Sequence, residues 1–441
     1  MKRRGAISDF DLGGTIAFRA IGLVLGLGAS LLIVGTMTRK FGATEYAAFA
    51  LLASFINLLP FADLGLGASI VNAVADGRSQ RYTREAVTLH VSRARDVLIV
   101  VALAISGVSL SLLFWGAWPL LLGSTSGVQG ISVAATVTMI LVGASVPFGI
   151  GNRLLQGAGR MRRVVQIALL GPVLQAIGCG ALALVDAPAV AFAYLPGVGY
   201  TAVALAAFIF AVRSKVVALL PPLVALLRWR SDTIRLADTA VPFLIISVAL
   251  AFGFQSHRLI LAQIGTADDL ASYSLVAQFA GPVLALLTVA AQNLWSKYRI
   301  ELGNGGLTTR RFASNVSVFA VVGVVAAIAL FASVQVVGGP LTDGVVVPSV
   351  GVSLGAAAYV VIVAIHQPSA MLLNSPRGLW LQAVLVSFAS FIAVVAMIFT
   401  VPRFGAAAPY AVFSAAMLFI QVIPTLVVSV RTIARRNRED H

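Results

Sequence analysis

Six polar side chains interrupt long apolar stretches of the sequence, and we predict that these stretches lie within a membrane. They are two arginines, two histidines, an aspartate and an asparagine, namely Arg19, Asn57, Asp63, His257, Arg258 and His366. Ionisable groups are costly inside a bilayer, so each one is a candidate for binding a substrate or an ion. A guanidinium group suits the oxygens of a phosphate, and an imidazole ring titrates near neutral pH.

Arg19 and Asp63 allow two interpretations each. Arg19 lies about five residues inside the first apolar stretch, roughly 7 Å deep. It either snorkels to the cytoplasmic headgroups or contacts an anionic ligand from the cytoplasmic side. Asp63 lies at a compatible depth in the second stretch. It is either the partner of Arg19 in a structural ion pair or a carboxylate that senses protons or cations.

The other four residues are also ambiguous. Arg258, with His257 beside it, either snorkels outward or lines a cavity and attracts an anionic group. His366 is either a hydrogen-bonded packing group or a titrating residue that couples transport to an ion. Asn57 either bridges two helices or binds a polar ligand.

The residues needed for catalysis are scarce. None of the four lysines directly follows a glycine, so the sequence has no GxxxxGK[ST] motif and is not an ATP-hydrolysing pump by itself. The single cysteine, Cys179, excludes an intrachain disulfide and a CxxC metal site. We therefore expect no catalytic residue, no metal site, no cofactor and no enzymatic activity.

Composition identifies the elements that must position these residues. Hydrophobic residues make up 59% of the 441 and charged residues only 11%, whereas a soluble protein has roughly a quarter charged. The apolar stretches reach the length of about 20 residues that a helix needs to cross a bilayer. Within lipid, a helix satisfies every backbone amide in its own segment. We therefore predict an all-α polytopic membrane protein.

We predict twelve transmembrane helices, with both termini in the cytoplasm. The predicted spans are 14–37, 46–72, 97–122, 131–151, 164–185, 189–212, 239–263, 270–294, 312–337, 345–373, 379–401 and 405–430. This topology places 26 of the 31 lysines and arginines at the cytoplasmic face, as the positive-inside rule requires. The net charge of +15 is therefore a record of topology, and we expect no nucleic-acid partner because the basic residues are dispersed over short loops.

Two six-helix bundles are predicted, joined by a connector. The apolar stretch 216–227 is too short to span a bilayer and contains Pro221-Pro222, which indicates an interfacial segment. The predicted domains are an N-terminal bundle, a connector, a C-terminal bundle and a basic cytoplasmic tail, at 1–213, 214–237, 238–430 and 431–441.

A faint internal repeat supports this division. A shift of 224 residues aligns Phe49 with Tyr273 and Leu51 with Leu275. Because each half has an even number of spans, such repeats would share one orientation in the membrane. That arrangement is typical of transporters, whose substrate path lies between the halves.

Three motifs resemble those of bacterial polysaccharide-export flippases. They are Phe61-Ala-Asp-Leu-Gly-Leu-Gly-Ala-Ser-Ile-Val-Asn72, Leu154-Leu-Gln-Gly-Ala-Gly-Arg160, and His257-Arg-Leu-Ile-Leu-Ala-Gln-Ile-Gly265 leading into Ala271-Ser-Tyr-Ser274. In this order they are similar to the Wzx-type flippases of the MATE-like MOP exporter superfamily. The resemblance implies a V-shaped pair of bundles around a central cavity, in which cationic residues meet a lipid diphosphate and its sugar. Many of these relatives carry an acid at the position of His257, which puts a coupling carboxylate there in doubt.

The resemblance also implies a function. We expect a flippase in the bacterial cytoplasmic (inner) membrane that moves an undecaprenyl-diphosphate-linked oligosaccharide to the outer leaflet by alternating access. Relatives that flip lipid-linked precursors also have arginines in the first span and near the seventh, which favours ligand contact for Arg19 and Arg258. The implied partners are this lipid-linked oligosaccharide, membrane lipids, and polysaccharide polymerase and export machinery.

Three alternatives remain open. A MATE-like cation-coupled drug or metabolite antiporter needs an acidic cavity, whereas the charges within the predicted spans lean basic. A membrane glycosyltransferase or polymerase usually has sizeable outer loops, and the loops predicted here are short. A lipid II flippase commonly has two more spans than the twelve predicted.

Overall fold

The computed structural model describes residues 12–58, 66–78, 82–223, 237–303 and 307–439, and every regular element in these ranges is helical. The α-helices are α1 (Leu12–Phe41), α2 (Ala43–Ser54), α3 (Leu66–Arg78), α4 (Arg84–Phe114), α5 (Trp118–Leu122), α6 (Ile131–Phe148), α7 (Ile150–Gly157), α8 (Met161–Ala168), α9 (Leu170–Leu184), α10 (Ala189–Phe192), α11 (Leu195–Arg213), α12 (Ala237–Ile264), α13 (Ala267–Gly303), α14 (Thr309–Leu341), α15 (Val350–Leu372), α16 (Pro376–Phe404), α17 (Ala407–Ala416) and α18 (Ile423–Glu439). Two 3₁₀ segments, Phe55–Leu58 and Gly123–Thr125, and one π-helical turn, Met417–Val422, complete the list.

The protein is a multi-pass membrane protein. Within the described residues, 10 helical stretches are long and apolar enough to cross a bilayer. They coincide with all the predicted spans except 46–72, which contains residues outside the described ranges, and 239–263, which lies on α12, a helix whose side chains are described only in part. The all-helical class is therefore confirmed, whereas the number twelve, the two-bundle arrangement and the cytoplasmic termini stay predictions.

The third predicted span, 97–122, has the wrong boundaries. Helix α4 begins much earlier, at Arg84, because its polar first turns continue the helix beyond the apolar segment. It ends at Phe114, since Gly116 adopts a φ of 63° and the amide of Ala117 donates to the carbonyl of Leu112. This is the hydrogen-bond pattern with which a glycine closes the C-terminus of a helix.

Two compact units can be distinguished by contacts. The first unit consists of 1–33, 62–111 and 135–235, and the second of 34–61, 112–134 and 236–441. The second unit thus contains two segments from the first half of the chain. The boundaries of these compact units differ from those of the predicted domains 1–213 and 238–430. The predicted domains stay a prediction.

In the first unit, a buried ion pair holds the connector. Arg95 and Asp96 are 6% and 0% exposed, and Nε of Arg95 lies 3.0 Å from Oδ1 of Asp96. The same guanidinium group donates to the carbonyls of Leu220, at 2.6 Å, and Pro221, at 2.9 Å. The amide of Leu220 in turn donates to Oγ of Ser92 at 3.0 Å. These bonds fix the start of the connector against α4, and its described part, 214–223, contains no helix.

In the second unit, α2 packs against the start of α13. These are the two segments that the predicted repeat aligns, and equivalent positions have similar burial. Phe49 and Tyr273 are 4% and 1% exposed, and Leu51 and Leu275 are both 0% exposed. The contact brings the repeated segment of one half directly against that of the other.

Candidate functional site

Arg258 has an unusual environment for a cation in an apolar helix. It lies on α12, near the predicted outer end, and its side chain is half-buried. Its Nε atom is buried without a hydrogen-bond partner, and no ion pair joins it to a residue that the structure describes. Its charge acts electrostatically on Tyr46, Tyr273 and Tyr410. We call Arg258 and these three residues the tyrosine–arginine cluster.

Three tyrosines on three helices lie within electrostatic range of this guanidinium. Tyr46 belongs to α2, Tyr273 to α13 and Tyr410 to α17, and none is more than 1% exposed. A side-chain hydrogen bond links Tyr273 to Tyr410, whereas the hydroxyl of Tyr46 is buried without a partner in the described structure. Buried polar atoms in proteins nearly always have partners. The cluster can therefore supply hydrogen bonds to an anionic or hydroxylated ligand.

His257 lies in an aromatic core beside the tyrosine–arginine cluster. It is 0% exposed, and its Nδ1 atom lies 2.7 Å from the hydroxyl oxygen of Tyr273. The rings of Phe254 and Phe413 lie 5.2 and 5.1 Å from its own, between centroids. In this structure His257 packs and orients Tyr273. Direct contact between His257 and a substrate stays a prediction.

Arg19 lies on α1 in the first unit and is also half-buried. No hydrogen bond or ion pair joins it to a residue that the structure describes. Next to it, the guanidinium group of Arg162 lies 5.6 Å from the ring of Phe18, in a cation–π contact. Arg162, on α8, thus contacts the residue that precedes Arg19, whereas Arg19 itself makes no hydrogen bond or ion pair within the described part of the chain.

Two predicted site residues cannot be placed. Asp63 lies outside the described residues, and so does the side chain of Asn57. The predicted Arg19–Asp63 ion pair and the role of Asn57 therefore stay predictions.

His366 lies in a buried polar group between α15 and the last two helices. Its Nε2 atom lies 3.1 Å from Nε2 of Gln421, and its Nδ1 atom lies 3.4 Å from the hydroxyl oxygens of Ser369 and Thr425. Gln421 belongs to the π-helical turn Met417–Val422. π-Helical turns occur frequently at functional sites.

Sequence reasoning missed the tyrosines near Arg258 and the hydrogen-bond partners of His366. Tyr46, Tyr273 and Tyr410 are aromatic residues with a polar tip, and such residues usually find a hydrogen bond when buried. Gln421 and Thr425 are one helical turn apart in an apolar span, so they share a face. These signals are present in the sequence, but they do not indicate which distant residue they meet.

Comparisons of the sequence found no match. No family model matches the chain, and no curated protein matches it.

Solved structures, in contrast, match almost the whole chain. The lipid II flippase MurJ, in an inward closed conformation, has a TM-score of 0.70 at 12% identity, over 96% of this chain and 89% of that chain. An inward-facing multidrug resistance MATE transporter has a TM-score of 0.66 at 14% identity, over 96% and 99%. A MOP superfamily transporter from Pyrococcus furiosus, described as having a binding pocket of reverse polarity, has a TM-score of 0.56 at 14% identity, over 96% and 95%. This chain therefore has the fold of the MOP superfamily transporters.

Proposed function

We propose that this protein is a flippase in the bacterial inner membrane. It moves an undecaprenyl-diphosphate-linked oligosaccharide, such as an exopolysaccharide, capsule or O-antigen repeat unit, from the cytoplasmic to the outer leaflet by alternating access. The observation that carries the proposal is the state of Arg258, a half-buried guanidinium without a hydrogen bond or ion pair among the described residues. A cation at membrane depth is costly unless an anion accompanies it.

The chemistry of the cluster favours a diphosphate with an attached sugar. A guanidinium group binds two phosphate oxygens at once, which an ammonium group does less well. The hydroxyl groups of Tyr46 and Tyr410 can donate to phosphate oxygens or exchange hydrogen bonds with sugar hydroxyls. The predicted contact of Arg19 with an anionic headgroup at the cytoplasmic side stays a prediction. The likeness to a lipid II flippase supports a lipid-linked substrate.

The second candidate is a MATE-like cation-coupled antiporter. The likeness to a multidrug MATE transporter favours it as much as it favours a flippase. A cationic drug would need an unpaired acid, and the buried acid described on α4, Asp96, is already bound to Arg95. Charge therefore favours the flippase.

The test is transport by purified protein in liposomes, with a fluorescent oligosaccharide on a polyprenyl diphosphate. We expect Arg258→Ala and Arg19→Ala each to lower the initial rate about tenfold or more, because each removes a charge-assisted hydrogen bond. Arg403→Ala, at an exposed arginine of α16, is the matched control. Arg258→Lys should recover part of the rate.

Normal transport by both alanine variants would overturn the proposal. Uptake of a cationic drug by wild-type protein, without transport of the lipid-linked probe, would favour the antiporter instead.

A further inference from the structure

Four polar residues form a closed set inside the second unit, away from the tyrosine–arginine cluster. Their exposed fractions lie between 0% and 7%, and they are His366, Ser369, Gln421 and Thr425. We call them the histidine–glutamine site. His366 and Ser369 belong to α15, whereas Gln421 and Thr425 belong to the π-helical turn and α18. The site thus bridges two predicted spans.

The geometry holds His366 as a neutral ring with its proton on Nδ1. The amide nitrogen of Gln421 donates to Nε2 of His366, so Nε2 is an acceptor and carries no proton. The hydroxyls of Ser369 and Thr425 donate to the backbone carbonyls of His366 and Gln421, at 2.8 Å each. Their lone pairs are therefore free to accept from Nδ1–H. Every ring nitrogen has a partner in this state.

One atom of the site is unsatisfied. The amide oxygen of Gln421 is buried without a hydrogen-bond partner in the described structure, although Gln421 is only 5% exposed. A half-turn of the amide would exchange its nitrogen for this oxygen and present an acceptor to Nε2. Protonated His366 would then donate from Nε2 to Gln421 and from Nδ1 to the two hydroxyls. The site can thus satisfy both protonation states of the ring.

The ligand of such a site is a proton rather than a metal ion. The site has an imidazole, an amide and two hydroxyls but no carboxylate, and no group of three metal-ligating side chains occurs in the described residues. Among the side chains that the structure describes, no titratable or charged group on the surrounding elements forms a hydrogen bond or ion pair with His366. Those described are Tyr359 on α15, Asp268, Asp269, Tyr273, Tyr298 and Glu301 on α13, Arg310 and Arg311 on α14, Arg377 and Arg403 on α16, Tyr410 on α17, Arg431 and Arg435 on α18, and His257 and Arg258 on α12.

We propose that His366 binds a proton and that Gln421 accepts the hydrogen bond of the protonated ring from within the π-helical turn. Rotation of the amide changes the bond that joins α15 to this turn, so proton binding changes how the last span is held. If the proposed transport function is correct, this site couples a proton to it. Proton binding itself does not depend on that function.

The test is nuclear magnetic resonance of the full-length protein in lipid, labelled with ¹⁵N in its four histidines. His366→Asn identifies the signals of His366. We expect these signals to pass, as the pH falls, from the Nδ1–H tautomer to the doubly protonated ring. Gln421→Met should move the midpoint down by about one pH unit, because the charged ring loses an acceptor. Gln382→Met is the control, since Gln382 is 7% exposed and its hydrogen bonds go to the carbonyls of Ala370 and Leu373 at the end of α15.

Two results would overturn the inference. One is a His366 ring that stays neutral at every pH at which the helical circular dichroism is intact. The other is a midpoint in Gln421→Met that is unchanged or raised. Because this titration uses no substrate, it can fail while the transport assay succeeds, and the reverse.

Discussion

The backbone of Gly123 lies directly against the carbonyl group of Ala262, so closely that a Cβ atom at Gly123 would overlap it. Gly123 has a φ of 51° and a ψ of −127°, a combination that is strained for any other residue. Beside it, the side chain of Gln263 donates to the carbonyl of Leu120 at 2.6 Å. The close approach and the hydrogen bond hold the segment 112–134 against the end of α12 within the second unit.

Gly123→Ala should therefore destabilise the protein. Backbone strain alone costs about 1 to 3 kcal/mol, and the overlap with Ala262 adds to it. Gly28→Ala is the control, because Gly28 lies within α1 with nothing within 4 Å of its added Cβ atom. Thermal unfolding in detergent would measure both. A Gly123→Ala protein that melts at the temperature of the control would contradict the contact.

The buried ion pair that holds the connector should contribute far more to the stability of the fold than an exposed ion pair does. Asp96→Asn leaves the charge of Arg95 buried and uncompensated, which costs about 3 to 5 kcal/mol when a buried pair loses a partner. Asp343→Asn is the matched control. Its partner Arg39 lies at 3.2 Å, but the side chains are 62% and 52% exposed, so its loss costs about 1 kcal/mol or less. Equal thermal stability of the two variants would show that the connector is not anchored by Arg95.

The rate of proteolysis should also reveal whether Arg95 anchors the connector. Release of Leu220 and Pro221 from Arg95 would expose the backbone of 214–223, so we expect Asp96→Asn to be cut there faster than Asp343→Asn. Mass spectrometry of the early fragments would locate the cleavage.

Tyr298 should ionise at a higher pH than a free tyrosine, and its ionisation should destabilise the fold. Burial raises the pKa of Tyr298 to about 12, whereas the amide of Asn315, which donates to its hydroxyl, opposes this shift. The neutral phenol therefore contributes stability that is fully present below pH 10, the usual pKa, and is lost as the pH rises toward about 12. Titration by phenolate absorbance should show a late step that is absent from Tyr298→Phe. Ionisation of this group near pH 10 would contradict its burial.

Single-cysteine labelling tests the predicted topology. The native Cys179 is buried, so a membrane-impermeant maleimide should label the wild-type protein weakly. Ser126→Cys, in an exposed loop at the predicted outer side, should react in intact cells. Arg213→Cys, exposed at the predicted cytoplasmic end of α11, should react only after lysis. Labelling of both variants in intact cells would contradict a topology with cytoplasmic termini.

The helical class was predictable from the sequence, but the ends of helices were less so. The span predicted at 97–122 was misplaced because the polar residues from Arg84 to Arg95 looked like a loop, whereas they extend α4 beyond the apolar segment. Charge sorting identified these residues as topology determinants. It had no way to indicate that Arg95 and Asp96 also hold a segment more than a hundred residues away.

The candidate site was predictable only in part. Arg19 and Arg258 stood out because a cation in an apolar stretch is rare, and the structure leaves both half-buried. The same role was predicted for the adjacent residues His257 and Arg258. In the structure, however, His257 is 0% exposed and lies among aromatic rings, whereas Arg258 is half-buried. Which side of α12 faces its neighbours was not readable, because lipid-facing and core-facing positions are both apolar in a membrane helix.

The sequence by itself determined that this chain crosses a membrane many times as helices and carries cations there. Both are local properties, since a span needs only enough consecutive apolar residues and a charge is visible wherever it interrupts them. Only the tertiary structure decided that Tyr46, Tyr273 and Tyr410 lie within electrostatic range of Arg258 and that Gln421 contacts His366. These contacts join distant segments, and their formation depends on which faces of the helices pack together.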